Sequence, residues 1–150
     1  MKQSEKEILE EFKKSVLPKY APKNKKANFY WEEYQIGLSA RVDCIIIYDA
    51  EIWIVEVKSI FNLKKAYLAI GQLLVYGELI KELIKYDEDI RKHIKSDRVR
   101  LRKFAVFGKV RLSKEEEAYK KFSGDSLAFV MRREISRLYR RIHREEQLTT

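Results

Sequence analysis

Three strand-like runs follow one another with almost no chain between them: Phe29–Ile36 (FYWEEYQI), Arg41–Tyr48 (RVDCIIIY) and Ile52–Lys58 (IWIVEVK). Gly37 and Leu38 break the first pair, and an Asp49-Ala50-Glu51 turn breaks the second. A parallel connection needs a crossover of about a dozen residues or more, so these runs are held to an antiparallel meander. The flanking periodicities then decide the class. Residues 4–16 carry Ile8, Leu9, Phe12 and Val16 at helical spacing, with Ser4 as N-cap and Glu7 in capping-box position. Pro18 and Pro22, beside Lys23, Asn24, Lys25 and Lys26, end that helix in a basic loop. From about Ala66 to Tyr86 the period is again helical, and apolar nearly all round between Leu68 and Val75, as in a helix buried on most faces. A basic stretch from Arg91 leads into Lys103–Lys109 (KFAVFGK), which predicts a fourth strand. Ser113–Phe122 reads as a capped helix, Leu127–Met131 as a last strand and 133–146 as a basic amphipathic helix. The expected order is αβββαβαβα: one α/β (α+β) domain over 1–150, with a mixed central sheet of about four to five strands flanked by helices.

Charge narrows the partners. Lys and Arg number 32 against 23 Asp and Glu, a net +9, which favours a polyanion and nucleic acid ahead of a membrane surface. The one cysteine, Cys44, excludes an intrachain disulfide, a four-cysteine zinc site and a cysteine-ligated iron–sulfur cluster. Two histidines, His93 and His143, argue against histidine-rich metal chemistry. The start, MKQSEKEILEEF, is charged from its second residue and is unlike a signal peptide. No apolar run approaches the ~18 residues of a membrane span, so a cytoplasmic protein is expected. Abundant Lys, Glu and Ile with few Cys, Met and Gln suit a thermophile.

The chemistry gathers in the second hairpin. Side chains alternate along a strand, so Ile54, Glu56 and Lys58 share one face and Trp53, Val55 and Val57 the other. Asp43, two and four residues before Ile45 and Ile47, is expected on their face. The short turn brings Asp43 to the end of the hairpin where Glu56 and Lys58 lie. Two carboxylates are what a hard cation such as Mg²⁺ needs, with water and substrate phosphate completing its octahedron. Such an ion polarises a phosphoryl oxygen and acidifies water, and an adjacent lysine can orient that water or neutralise charge developing in the transition state. An isolated E-x-K triplet in a chain with 37% charged residues is ordinarily a solvated strand edge; here it ends a strand patterned for burial.

Two further features accompany it. Glu5 points in the direction of the Ile8, Leu9, Phe12 and Val16 stripe, so it either reaches the same metal or belongs to a solvated first turn. Gln72 and Tyr76 lie one turn apart on the most apolar helix, among Leu68, Leu79 and Leu83. A buried amide needs a partner, which is backbone, a catalytic carboxylate or substrate; a satisfied core amide beside a core tyrosine is the alternative.

The order Asp43, Glu56-x-Lys58 on the following strand and Gln72-x-x-x-Tyr76 on the next helix resembles the PD-(D/E)xK nuclease superfamily, and within it the RecB-like exonuclease branch. The resemblance covers about residues 5–110, with ARVDCIII, IWIVEVKS and QLLVY its specific stretches. It implies a restriction-endonuclease-like core that hydrolyses DNA phosphodiester bonds. Asp43 and Glu56 would bind the metal with the main-chain carbonyl of Val57, and Lys58 would be the catalytic lysine. Glu5 would match the helix-one glutamate, whose surroundings (E-x-x-I-L-x-x-F) are also similar to those of archaeal Holliday-junction resolvases. Gln72 and Tyr76 would hold the motif helix against the site and contact DNA. The implied cofactor is Mg²⁺, with Mn²⁺ as substitute, and no other small molecule. Val42 precedes Asp43 where the family frequently has proline. No histidine lies upstream of Asp43, where many RecB-like exonucleases have one, and the cluster cysteines of related nucleases are absent.

Between Arg91 and Arg111 nine basic residues stand against one acidic, Asp97. Arg98, Arg100 and Arg102 from this stretch, and Arg133, Arg137 and Arg141 from the last helix, are candidates for phosphate contacts, and Lys13–Lys26 for a further patch. Each basic residue on a phosphate releases counterions without reading sequence; a solvated helix face is the alternative for any single arginine. Nothing resembles a base-reading motif, so recognition of strand ends or DNA structure is expected. Tyr30, Trp31 and Tyr34 would serve a homo-oligomer contact or the core. The competing class is a non-catalytic nucleic-acid-binding or assembly subunit that keeps the nuclease fold.

Overall fold

The computed structural model describes residues 4–15, 17–22, 26–38, 40–110 and 146–149. Helix α1 (Glu5–Ser15) starts where a cap permits it: Ser4 Oγ accepts the Glu7 N–H at 3.2 Å. Its stripe of Ile8, Leu9 and Phe12 is buried. One further turn, α2 (Leu17–Tyr20), follows where the prolines predicted only loop. Pro18 falls in the first turn of α2, where a missing N–H leaves no helical bond unmade.

Strands β1 (Phe29–Ile36), β2 (Ala40–Ile47) and β3 (Glu51–Phe61) form the expected antiparallel meander. Helix α3 (Leu63–Leu83) is capped by Asn62, whose side chain accepts the Lys65 N–H at 2.8 Å. A short α4 (Glu88–His93), unforeseen within the basic stretch, is capped by Asp87. The same carboxylate accepts the Tyr34 hydroxyl at 2.9 Å and ties α4 to β1. Strand β4 (Arg98–Val110) runs parallel to β3, and the four-residue β5 (Glu146–Thr149) lines its other edge antiparallel. The sheet order is β1-β2-β3-β4-β5, an α+β fold on a mixed sheet packed against helices.

Strand β4 is longer than expected at both ends, because Val99 and Leu101 bury while Arg98 and Arg100 point outward. The predicted helix 113–122 and strand 127–131 lie outside the described residues, as does the helix 133–146 except for its last residue: Glu146 opens β5. Helix α3 is less enclosed than its composition suggests. Tyr67, Leu68, Leu74 and Val75 are exposed, since a helix laid on one side of a sheet buries only its inward face.

Two cores flank the sheet. Ile45, Ile47, Ile52, Ile54 and Leu101 pack against α3 and α4 through Ala69, Leu73, Tyr76, Ile80 and Ile90. Cys44, Ile46, Trp53, Val55, Val57 and Phe104 pack against α1 through Ile8, Leu9 and Phe12. Central β3 is buried on both faces from Glu51 to Val57. Gly108 lets α1 close on this layer, because a Cβ there would stand 2.8 Å from the Ser59 carbonyl oxygen. Among the described residues no helix is long and apolar enough to cross a membrane.

Candidate active site

The site begins with a fault in the pleat. Strict alternation would put Val42 on the side of Cys44 and Ile46, yet Val42 packs with Ile45 and Ile47 in the α3-side core. The alternation therefore slips at Asp43. Strand β1 slips at the same level: its pairing with β2 runs to Glu32↔Cys44 and resumes at Tyr34↔Val42, skipping Glu33 and Asp43. Glu33 takes the left-handed φ of +52° that this double step requires. The β2–β3 ladder also stops short of the pair, at Cys44↔Val55.

Side chains then take over from the ladder. The Val57 N–H donates to Asp43 Oδ2 at 2.7 Å, and the Asp43 N–H donates to Glu56 Oε1 at 3.3 Å. Lys58 Nζ donates to Glu56 Oε2 at 3.3 Å. The three residues expected to act together are linked by direct contacts. Asp43 departs from expectation in one respect. It does not simply share the Ile45 and Ile47 face but lines a cavity of about 280 Å³ on the α1 side, with Glu5, Lys6, Leu9, Glu32, Glu33 and Val57.

Burial makes this cluster electrostatically expensive. Glu56 is 2% exposed. Burial first, and then repulsion by Asp43, pushes its carboxyl up to about 7, against the pull of Lys58. Tyr76 comes to the same place from α3: its hydroxyl is raised by burial and then by the charges of Glu56 and Asp43. Gln72 Nε2 donates to the Tyr76 hydroxyl at 3.5 Å, while Gln72 Oε1 is buried without a hydrogen-bond partner. A buried amide oxygen left this way is costly unless a ligand or water donates to it.

Glu5 is exposed and reaches the rim of the Asp43 cavity. Among the described residues, no three His, Cys, Asp or Glu side chains come together to hold a metal ion. Lys103 escaped the sequence reading. It is buried on β4 beside Ile54 in the β3–β4 register, under Gly77 of α3, where an added Cβ would meet its Cδ at 3.4 Å. Its signal was a lysine on the inward parity of Val99, Leu101 and Ala105. Glu33 escaped too, since only three-dimensional register sets it opposite Asp43.

The arginines are placed differently from one another. Arg102 is held by packing: its guanidinium lies about 5 Å from the rings of Tyr20, Trp53 and Phe104 and donates to the Tyr20 carbonyl at 2.8 Å. Arg100 pairs with Glu51 at 3.4 Å. Arg100 stands opposite Glu51 in the register, five residues before Glu56, so at ~3.3 Å per residue Arg98 and Arg100 lie well away from the carboxylate pair. Arg133, Arg137 and Arg141 lie outside the described residues. Of the aromatic candidates for an oligomer contact, Tyr34 is core, Tyr30 is half-buried, and Trp31 is exposed and stacked on Phe29.

No family model matches the chain, and no curated protein or solved structure gives a significant match.

Proposed function

We propose that this chain is a divalent-cation-dependent nuclease of the PD-(D/E)xK type, with a restriction-endonuclease-like core, hydrolysing DNA phosphodiester bonds at structures or ends. One observation carries this: Asp43, Glu56 and Lys58 are joined by two contacts of 3.3 Å where the β2–β3 ladder gives way, and Asp43 lines an open cavity there. A strand pair that served only the fold would close that ladder with backbone bonds and apolar side chains.

The donor set suits a hard cation. Burial first, and then repulsion by Asp43, holds Glu56 partly protonated near neutral pH, and a cation held by both carboxylates would offset that cost. Asp43, Glu56 and the Val57 carbonyl would hold Mg²⁺ or Mn²⁺. When bound, the ion withdraws charge from the phosphate and makes water a usable nucleophile at neutral pH. The remaining work falls to the chain. Val57 N–H fixes the Asp43 carboxylate. Lys58, oriented by Glu56, offers its ammonium to charge developing on the phosphoryl oxygens or to the attacking water. Gln72 and Tyr76 wall the site from α3, and the Gln72 amide oxygen awaits a donor.

End-labelled linear and closed circular DNA, single- and double-stranded, incubated with Mg²⁺, Mn²⁺ or chelator, tests this reading. The control is a Glu56→Gln, Lys58→Ala double variant. Cation-dependent cleavage by wild type alone is expected, and loss of circular substrate marks endonuclease action. DNA binding in chelator without cleavage under any condition replaces the enzyme with a non-catalytic nucleic-acid-binding subunit.

A further inference from the structure

The basic stretch after α3 does not form the uniform stripe its composition implies. Arg102 and Lys103 turn into the sheet, and Arg100 faces Glu51. Three other cations converge instead. Lys85 from the turn after α3, Arg91 from α4 and Lys95 from the link to β4 wall a hollow of about 430 Å³, together with Ser96. Ile84 and Ile94 complete its lining as apolar surface, and Asp97 is its one acid.

This hollow is held by the fold. Ile84 caps α3 and is buried, and Ile94 packs on the α3-side core. The Lys95 N–H donates to the Asp49 carbonyl at 2.8 Å, which fixes the link to the β2–β3 turn. Asp87, shared between the α4 cap and Tyr34, anchors the helix that carries Arg91.

We propose that the hollow of Lys85, Arg91 and Lys95 is a distal anchor for the phosphodiester backbone of the nucleic acid cleaved at Asp43 and Glu56. The ligand's identity rests on the nuclease reading; the cationic hollow does not. Three cations carried on separate segments match a chain of phosphates better than a single carboxylate, and half-buried Ile94 offers apolar surface to sugar or base. Its distance from the reacting centre sets a length. Ile84 stands eight residues beyond Tyr76, about 12 Å of helix rise. Arg98, next to the hollow, lies seven residues before the level of Glu56, about 23 Å of strand. At 3.4 Å per step of a stacked strand, this spacing corresponds to roughly four to seven nucleotides.

The test is fluorescence anisotropy in EDTA, with labelled single-stranded and duplex DNA of 3–16 nucleotides or base pairs over a salt series. Wild type is compared with a Lys85→Ala, Arg91→Ala, Lys95→Ala variant. A Lys64→Ala, Lys65→Ala, Lys81→Ala variant loses the same charge elsewhere, on α3. Wild type is expected to gain affinity steeply between about four and eight units. The hollow variant is expected to lose that step and about two units of the log–log salt slope, at ~0.7–0.9 per phosphate contact. Equal losses in both variants, an unchanged slope, or no binding of either ladder overturns the anchor. Cleavage assays separate the two proposals. A wild type that cleaves but shows no step retains the nuclease and loses the anchor, whereas a step without cleavage does the reverse.

Discussion

At the scale of single residues, the site sets stability against chemistry. Glu56 is buried, partly protonated near neutral pH, and shares its carboxylate between the Asp43 N–H and the Lys58 ammonium. None of these contacts is needed to close a sheet. Lys58 is the clearest probe, because its side chain is partly exposed and its ammonium pairs with Glu56. Truncation removes the ammonium while leaving both cores untouched. Lys58→Ala is expected to lower turnover by about 10²–10³-fold, the range for losing one preorganised charge donor, with DNA affinity in chelator changed little. Single-turnover cleavage beside a thermal melt checks this. A variant that cleaves at the wild-type rate removes Lys58 from the mechanism.

At the scale of elements, the paired slip in β1 and β2 aims Asp43 and leaves Glu33 with a left-handed backbone. Its side chain is exposed, so backbone conformation dominates what substitution does there. Glu33→Gly is expected to be neutral or stabilising by up to ~1 kcal/mol, and Glu33→Val to cost ~1–2 kcal/mol, since a β-branched residue resists positive φ. Urea unfolding of the two variants reads the difference; equal midpoints would mean that the slip is not held by this conformation. The seam between α1 and β4 makes a second demand. Gly108→Ala drives a methyl against the Ser59 carbonyl and Ile8 and is expected to cost ~1–3 kcal/mol, measured the same way. Most of this layout was legible beforehand. The meander, the helix at α3 and the grouping of Asp43, Glu56 and Lys58 follow from period and turn length. What was not legible lay where charge masked a pattern. Arg98, Arg100 and Arg102 concealed a strand whose Val99 and Leu101 bury, and the Asp87 cap of α4 was lost in a basic run. Alternation also misplaced Asp43, because a local rule cannot register a slip that two strands make together.

At the scale of the whole molecule, the same carboxylate pair links folding to pH and to cations. Glu56 is raised from an ordinary 4.5 to about 7, so the native state holds a proton that the unfolded chain releases. Its contribution to stability is greatest below about pH 4.5, falls as pH rises from there towards 7, and is level above. The sign is opposite to that of a salt-bridged carboxylate with a lowered pKa. In chelator, the unfolding free energy is therefore expected to carry a negative slope between pH 5 and 7, approaching about 1.4 kcal/mol per pH unit at its steepest. Glu56→Gln, which cannot titrate, is expected to flatten it. A cation at the pair competes with that proton. Mg²⁺ or Mn²⁺ is accordingly expected to raise the melting temperature little at pH 5.5 and clearly at pH 8, by the equivalent of ~2.7 kcal/mol at a hundred times its dissociation constant. Thermal melts of wild type and Glu56→Gln across pH, with and without the ion, measure both effects together. A cation shift that persists in Glu56→Gln places the ion elsewhere on the molecule. A wild type with neither the slope nor the shift removes the buried pair as a cation site, even if the fold around it is unchanged.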